Sequence, residues 1–255
     1  MKGLIRTRLA QGHRTMRYPD GPPPELPPRF RGRPLLEAGR CPAGCRDCTG
    51  ACPTGGLTAD PESGRLALDT GRCLFCSECS SACTAGAIRL GTDHRLAARR
   101  REDLVVTPAG GAPPEVLDDR IRRRFGRSLK LRQVSAGGCN ACEADTNVLN
   151  TLAWDLGRFG IQFVAGPRHA DGLLVTGPVS RQMADALRRT WEAVPEPKIV
   201  IAVGACAISG GLYADHPETC GGVDTQIPVD LYVPGCPPHP LTLLDGLLRL
   251  LGRLA

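Results

Sequence analysis

Twelve of the thirteen cysteines in this 255-residue chain sit at spacings that could hold inorganic sulfur chemistry. Eight lie between Cys41 and Cys83, none between Cys83 and Cys139, and five follow: Cys139, Cys142, Cys206, Cys220 and Cys236. The first field is an internal repeat. Cys41-x3-Cys45-x2-Cys48-x3-Cys52-Pro53 is followed by Cys73-x2-Cys76-x2-Cys79-x3-Cys83, and the residues around each last cysteine align, ACPTGGLTA against ACTAGAIRL. Cysteines at x2 spacing in a tight loop can point three thiolates at one compact cluster. A fourth has to come from elsewhere, because the local chain cannot close over the last corner.

The eight residues fit one template twice, and the template resembles bacterial-type ferredoxin domains. In two-cluster ferredoxins the fourth cysteine of each run ligates the other cluster. One [4Fe–4S] cluster is therefore expected on Cys41, Cys45, Cys48 and Cys83, and a second on Cys73, Cys76, Cys79 and Cys52. Zinc also uses paired cysteines, but zinc pairs rarely carry a third cysteine at x2 and a fourth at x3. Two departures stand out: the first run has x3 between Cys41 and Cys45, and Thr84 follows Cys83 where proline is usual. Cys41 is thus the ligand the template supports least.

The second cysteine field needs elements that bring distant residues together. From about residue 129 apolar segments alternate with amphipathic ones. LKLRQVS, IQFVA, GLLVTG, KIVIAV and VDLYV read as strands, the last four with few charges, as suits a parallel sheet buried on both faces. TNVLNTLAWDLGRF, VSRQMADALRRTWEAV and PLTLLDGLLRLLGRL read as helices, giving an α/β pattern. Cys139 and Cys142 follow the first strand, Cys206 follows KIVIAV and Cys236 follows VDLYV. All four fall at carboxyl ends, the edge where open α/β sheets bind ligands. Neighbouring glycines let the backbone approach and offer N–H groups to sulfur. Four thiolates from three loops are expected to make one further [4Fe–4S] site; the plainer reading is ordinary buried cysteines. Cys220, in HPETCGG, has no pair left and reads as a free thiol. His169, His216 and His239 read as loop-positioning residues, since thiolates already fill the site.

The rest of the composition sets limits. Formal net charge is +6 and aromatic residues make up 4%, so the core must come from Leu, Val, Ile and Ala. No apolar stretch approaches the ~20 residues of a membrane span; the longest, Leu241 to Leu254, is broken by Asp245, Arg249 and Arg253. The N-terminal residues lack the apolar region of a secretory signal, which argues against disulfides as the use of the thiols. Residues 95–132 hold ten arginines and one lysine. That could mark a nucleic-acid binder, and with a zinc reading it forms a rival function, but Glu102, Asp103, Glu115, Asp118 and Asp119 dilute the charge and favour a solvated or interface-facing helix. Ala109 to Pro114 reads as a hinge. The expected organisation is a helix and extended strap at 1–37, a two-cluster domain at 38–93, a basic linker at 94–128 and an α/β domain at 129–255. In the first part, Met1, Leu4, Ile5 and Leu9 form a short stripe beside Lys2, Arg6 and Arg8 that could meet lipid headgroups or a partner; a frayed helix fits as well.

Two resemblances narrow this. Tyr18, Pro19, Phe30, Arg31 and Gly32, ahead of the first cysteine run, resemble the lead-in of the two-cluster subunits of respiratory complex I and formate hydrogenlyase. GCNACE, PRHADGLLVTGPVS, VPEPKIV, VGACAISGG and IPVDLYVPGCPP resemble the proximal-cluster subunit shared by complex I and the energy-converting [NiFe]-hydrogenases, over about residues 120–255. The resemblance implies a flavodoxin-like domain with one [4Fe–4S] cluster on Cys139, Cys142, Cys206 and Cys236, held against a large catalytic subunit. Complex I subunits carry adjacent cysteines at the first position, whereas Cys139-x2-Cys142 looks like the hydrogenase branch. Ala141 replaces a common glycine. Glu143 and Asp145 stand where an acidic pair is usual and could move protons at the partner interface, or simply face the helix dipole. The whole implies a natural fusion: three [4Fe–4S] clusters in an electron-transfer subunit of a hydrogenase-like or quinone-reducing oxidoreductase. It would be cytoplasmic and peripheral on the inner face of the cell membrane, attached through partner subunits, with no nucleic acid. A free-standing ferredoxin-like carrier is the remaining rival.

Overall fold

The computed structural model describes residues 2–42, 44–60, 65–109 and 119–254. The C-terminal part is built on five parallel strands: β6 (Leu129–Ser135), β7 (Ile161–Phe163), β8 (Gly172–Thr176), β9 (Ile199–Val203) and β10 (Leu231–Val233). Their spatial order is β10-β9-β8-β6-β7. Numbered within the sheet this is 2-1-3-4-5, the flavodoxin-like order, whose switch point lies between the first and third strands. β8 and β9 are buried along their whole length, as their unbroken apolar sequences require, and Gly172 is fixed by register between Leu131 and Ile199. A side chain at Gly172 would run into the Ile199 carbonyl.

Helices cover both faces. α5 (Ala141–Val148), α6 (Arg181–Ala193), α7 (Ala205–Ser209) and α8 (Pro240–Leu250) follow β6, β8, β9 and β10. α8 brings Leu241, Leu244, Leu247 and Leu248 against Leu131, Ile201 and Val233 in one core, while α6 closes a second core through Ala184 and Leu187 with Leu173 and Val200.

One helix departs from its expected place. The pattern TNVLNTLAWDLGRF predicts a helix over 146–159, but α5 starts at Ala141 and stops at Val148. Beyond it the backbone tightens into turns, with the Leu149, Asn150 and Thr151 amides bonding to Thr146, Asn147 and Val148, and farther on Leu152 accepts from the Thr15 hydroxyl and Ala153 from the Met16 amide. Asn150 and Thr151 are also weak helix formers.

The N-terminal part consists of two interleaved halves. After α1 (Lys2–Gln11) and the proline-rich strap come β1 (Pro34–Leu36), α2 (Asp47–Gly50) and β2 (Leu57–Ala59), then β3 (Leu66–Asp69), α3 (Glu78–Ala82) and β4 (Ile88–Leu90). Each half is strand, helix, strand, as the sequence repeat demands. The strands pair across the halves, β1 with β4 and β2 with β3, both antiparallel. In α1, Leu4, Ile5 and Leu9 are exposed.

The stretch expected to link the two parts is built into both. Ala98 exchanges two backbone hydrogen bonds with Tyr232 at the edge of β10. β5 (Val105–Val106) then adds to β3 as a third antiparallel strand. Arg101 clamps Asp69 with two hydrogen bonds of 2.8 and 2.6 Å, and Ser209 in α7 donates to the Gly71 carbonyl. The arginine run continues into a short helix, α4 (Asp119–Phe125). Most of the Ala109–Pro114 hinge lies outside the described residues.

Candidate metal centres

The edge formed by the carboxyl ends of β6, β9 and β10 gathers Cys139, Cys142, Cys206 and Cys236. Local backbone conformation makes this possible. Leaving β6, Gly137 has φ 89 and Asn140 φ 70, so the chain reverses tightly between the first two cysteines and enters α5. Leaving β9, Gly204 has φ 90 and ψ 157, a conformation essentially confined to glycine. A Cβ on Gly204 would lie 2.6 Å from the Cys142 sulfur, and one on Gly211 would lie 3.0 Å from the Cys206 sulfur. The glycines thus leave room for sulfur where any other residue would occupy it. The β9 and β10 loops are tied together by Gly204 N–H to Val233 O (2.9 Å) and Ala205 N–H to Gly235 O (2.8 Å).

These thiols feel one another. Burial, then Glu143, Cys206, Cys236 and Cys139, push the Cys142 thiol up to about 12. Burial, then Cys236, Cys139 and Glu143, push Cys206 up to about 11. Burial, Cys139 and Cys76 raise Cys236. The raised thiols of Cys142, Cys206 and Cys236 would be favoured as thiolates by nearby positive charge, which a bound metal centre supplies. Cys139 and Cys236 are exposed, and so are Leu212 (60%) and Tyr213 (50%) in the turn after α7.

Below this edge the repeat forms two further groups. Cys52, Cys73, Cys76 and Cys79 line one pocket, with Thr54, Leu68, Leu74 and Phe75. Burial and the neighbours Cys79, Cys52 and Cys76 push Cys73 up to about 12, against a hydrogen bond from Phe75. The Phe75 amide donates to the Cys73 sulfur at 3.3 Å. Burial would raise Cys52, but the backbone amide and hydroxyl of Thr54 and the amides of Leu57 and Gly56 outweigh it and hold the thiol below its usual value. Cys83 crosses to the other run: burial, then Cys45 and Cys83, raise Cys41, and burial, then Cys83 and Cys41, raise Cys48. The Ala87 amide donates to the Cys83 sulfur at 3.2 Å. Cys48 also acts on Cys79, and Cys76 on Cys236, so each group lies within electrostatic reach of the next.

The sites fit sulfur-bound clusters by three observations: glycine clearances aimed at sulfur, amide donors onto sulfur, and four thiols lining one pocket. Among the described residues no three or more His, Cys, Asp or Glu side chains are arranged around a single ion. A four-iron cluster does not require that, because its thiolates bind separate irons.

The acidic pair divides. Glu143 is buried (6% exposed) and its Oε1 accepts from the hydroxyls of Ser135 (2.6 Å) and Thr176 (2.7 Å). Burial would raise its pKa, but those hydrogen bonds and its own amide hold it below the usual carboxylate range. Asp145 instead lines a cleft shared with Cys236, Phe30, Phe75 and His239, and burial raises its pKa. The remaining candidates have other partners, and of them His239 shares the cleft with Cys236. Cys220 packs on the second core with its amide on the Val179 carbonyl. His169 lines a surface hollow with Arg123, Arg124 and Lys130. His216 accepts from the Glu218 amide through Nδ1, and His239 accepts from the Leu241 amide at the start of α8.

Sequence reasoning missed a buried polar cluster at the seam of the two parts. Tyr18 of the strap donates to Asp245 Oδ1 at 2.7 Å, Arg249 donates to Asp245 Oδ2 at 3.0 Å, and His94 Nε2 lies 3.8 Å from Oδ1, too far for a hydrogen bond. Burial lowers the His94 pKa, so its imidazole is neutral and the 3.8 Å approach is not an ion pair. The available signal was Asp245 itself, a carboxylate inside an otherwise apolar helical run.

Comparison with known proteins follows these boundaries. Residues 139–250 match the family described as NADH ubiquinone oxidoreductase, 20 Kd subunit. The Pyrococcus furiosus protein named "Probable membrane-bound hydrogenase subunit mbhJ" is 45% identical over 51% of this chain and 78% of its own length. Formate hydrogenlyase subunit 7 of Escherichia coli is 42% identical over 57% of this chain and 60% of its own. An NADH-quinone oxidoreductase subunit of Desulfovibrio desulfuricans is 41% identical over 57% of this chain and 90% of its own. With the sheet order, the three strand-end loops and these relatives in agreement, the chain belongs to the family of the 20 kDa subunit of NADH ubiquinone oxidoreductase.

Proposed function

We propose that this chain is the iron–sulfur electron-transfer subunit of a membrane-associated oxidoreductase complex of the hydrogenase, formate hydrogenlyase or NADH-quinone oxidoreductase type. It joins a two-cluster ferredoxin module (residues 38–93, behind a strap at 1–37) to a proximal-cluster module (129–255) through the basic stretch 94–128. Three [4Fe–4S] clusters are held by Cys41, Cys45, Cys48 and Cys83, by Cys52, Cys73, Cys76 and Cys79, and by Cys139, Cys142, Cys206 and Cys236. The observation that carries this is the pocket that Cys52, Cys73, Cys76 and Cys79 line together, with the room that Gly204 and Gly211 leave for the Cys142 and Cys206 sulfurs. The interleaved N-terminal halves support the ferredoxin reading.

Bound there, each cluster would accept and release one electron, at a potential set by ligands, hydrogen bonds and burial. The chain's own residues fix the distances and the surroundings. Phe75 and Ala87 give amide hydrogens to sulfur, Glu143 keeps a negative charge beside Cys142 and Cys206, and Leu68, Leu74 and Phe75 keep water from the middle group. Cys139 and Cys236, with Leu212 and Tyr213, form the surface offered to a large catalytic subunit, where the bond chemistry occurs. Cys139-x2-Cys142 favours the hydrogenase branch. Asp145, open to the cleft, is the acidic residue placed to exchange protons there. Among the described residues no helix is long and apolar enough to cross a membrane, so attachment to the inner face of the cell membrane would run through partner subunits.

Anaerobic purification with its neighbouring subunits tests this. A brown protein with about twelve irons per chain and matching sulfide, co-purifying with a large subunit, is expected. A colourless zinc protein, or a brown monomer without partners in native extracts, would contradict it.

A further inference from the structure

The tripeptide Phe30-Arg31-Gly32 in the strap has no part in holding thiols, yet it touches both sides of the junction between the middle and C-terminal groups. Phe30 meets the ring of His239 edge-on, with centroids 5.4 Å apart, and His239 lies in the loop that carries Cys236. Arg31 Nη1 donates to the Phe75 carbonyl at 2.8 Å, in the loop between Cys73 and Cys76. Gly32 is needed for a third contact: its amide donates to Gly91 O at 2.7 Å, and a side chain there would run into the Asp93 carbonyl. Arg33 N–H to Asp93 O (2.8 Å) secures the same turn.

Phe75 is an unusual residue to be held in this way. Its φ is 54, a left-handed conformation that a bulky residue adopts only where its surroundings impose it. Its amide points at the Cys73 sulfur, and its carbonyl, on the next peptide, is the one Arg31 holds. Phe75 and Leu74 also line both the pocket of the middle group and the cleft that contains Cys236, so they form the wall between the two sites.

We infer that Arg31 is a positioning residue for electron transfer: by holding the Phe75 peptide it sets the wall between the middle and C-terminal clusters and keeps an amide hydrogen on the Cys73 sulfur. The inference rests on the proposed function. One electron at a time passes between the two sites, one being oxidised as the other is reduced. The guanidinium and the Phe75 amide both favour the reduced, more negative state of the middle site. Loss of Arg31 therefore moves that potential in the negative direction and alters the magnetic interaction between the two reduced clusters.

The test is redox titration followed by electron paramagnetic resonance on the full chain and its Arg31→Met and Arg31→Lys variants. In R31M we expect wild-type iron, a more negative potential for the middle cluster alone, and a changed splitting between middle and C-terminal signals. In R31K, whose ammonium can reach the same carbonyl, both values should lie between R31M and wild type. R31M with iron, potential and splitting all at wild-type values overturns the inference. If R31M loses iron from the middle site, R31K decides: iron retained with a shifted potential supports the assignment, and wild-type potential and splitting overturn it. A wild-type chain without iron overturns the proposed function and this inference together, so the two failures are distinct.

Discussion

Substituting Gly204 by alanine should empty one metal centre and leave the others. Gly204 has φ 90 and ψ 157, and an alanine held there pays about 1–3 kcal/mol in backbone strain. That is small beside the ~5–15 kcal/mol that stabilises a typical domain, so the fold should survive. The local effect is larger than the strain implies, because the new Cβ would stand 2.6 Å from the Cys142 sulfur. The strand-end loop cannot move away freely: Gly204 and Ala205 donate to Val233 and Gly235, and Val203 is wholly buried. The sulfur must therefore move. Iron and acid-labile sulfide in anaerobically purified G204A should fall from about twelve to about eight per chain, with loss of one paramagnetic signal. Gly55→Ala is the control for backbone strain, since Gly55 has φ 58 but open space around its Cβ position; its iron should stay at the wild-type level. Wild-type iron and an unchanged third signal in G204A would refute the placement of Cys142 as a ligand beside this glycine.

Glu143→Gln removes the charge that faces Cys142 and Cys206 and weakens acceptance from Ser135 and Thr176, so the C-terminal cluster should titrate at a higher potential. Hydrogen bonds to a charged group contribute about 1.5–3 kcal/mol, and thermal unfolding of E143Q should show a corresponding decrease. Asp245→Ala, at a residue 1% exposed, leaves Tyr18 and Arg249 without their carboxylate and should cost about 3–5 kcal/mol; faster proteolysis of the strap would accompany it, and unchanged cleavage would count against the anchoring role. His94 is buried neutral, its pKa lowered from 6.5 chiefly by burial, with Arg95 and Arg249 opposing protonation and Asp245 and Asp93 favouring it. Its contribution to stability is complete above pH 6.5 and is lost as pH falls toward the folded value, at most about 1.4 kcal/mol per pH unit. His239 shifts in the same direction, so His94→Phe should reduce the acid slope of the unfolding midpoint without abolishing it.

What could be read beforehand follows from how far each interaction extends along the chain. Cysteine spacing is local, and the repeat that carries Cys41 to Cys83 therefore showed itself in the residue string. The apolar runs GLLVTG and KIVIAV needed no partner to read as strands, since burial on both faces leaves an unbroken signature. The two-residue strand Val105–Val106 carries no such pattern; it and the Ala98 bridge to Tyr232 are decided by the sheet edges they meet. The segment after α5 is held by Thr15 and Met16, far away in sequence, which donate to the Leu152 and Ala153 carbonyls. Tyr18 and Asp245 are 227 residues apart, and Arg31 and Phe75 are 44 apart. Such pairs are visible only once the strap lies across the seam. Gly204 was legible as a permissive residue beside a ligand, but that the space it leaves belongs to Cys142, from another strand, required the fold.

The most direct test is an anomalous difference map recorded at the iron edge from anaerobically grown crystals of the full chain. Three separate iron peaks are expected, each bordered by one of the groups of four cysteines, the outermost by Cys139, Cys142, Cys206 and Cys236. A map in which that outermost group borders no iron, or in which the peaks appear only at the zinc edge, would contradict the electron-transfer reading.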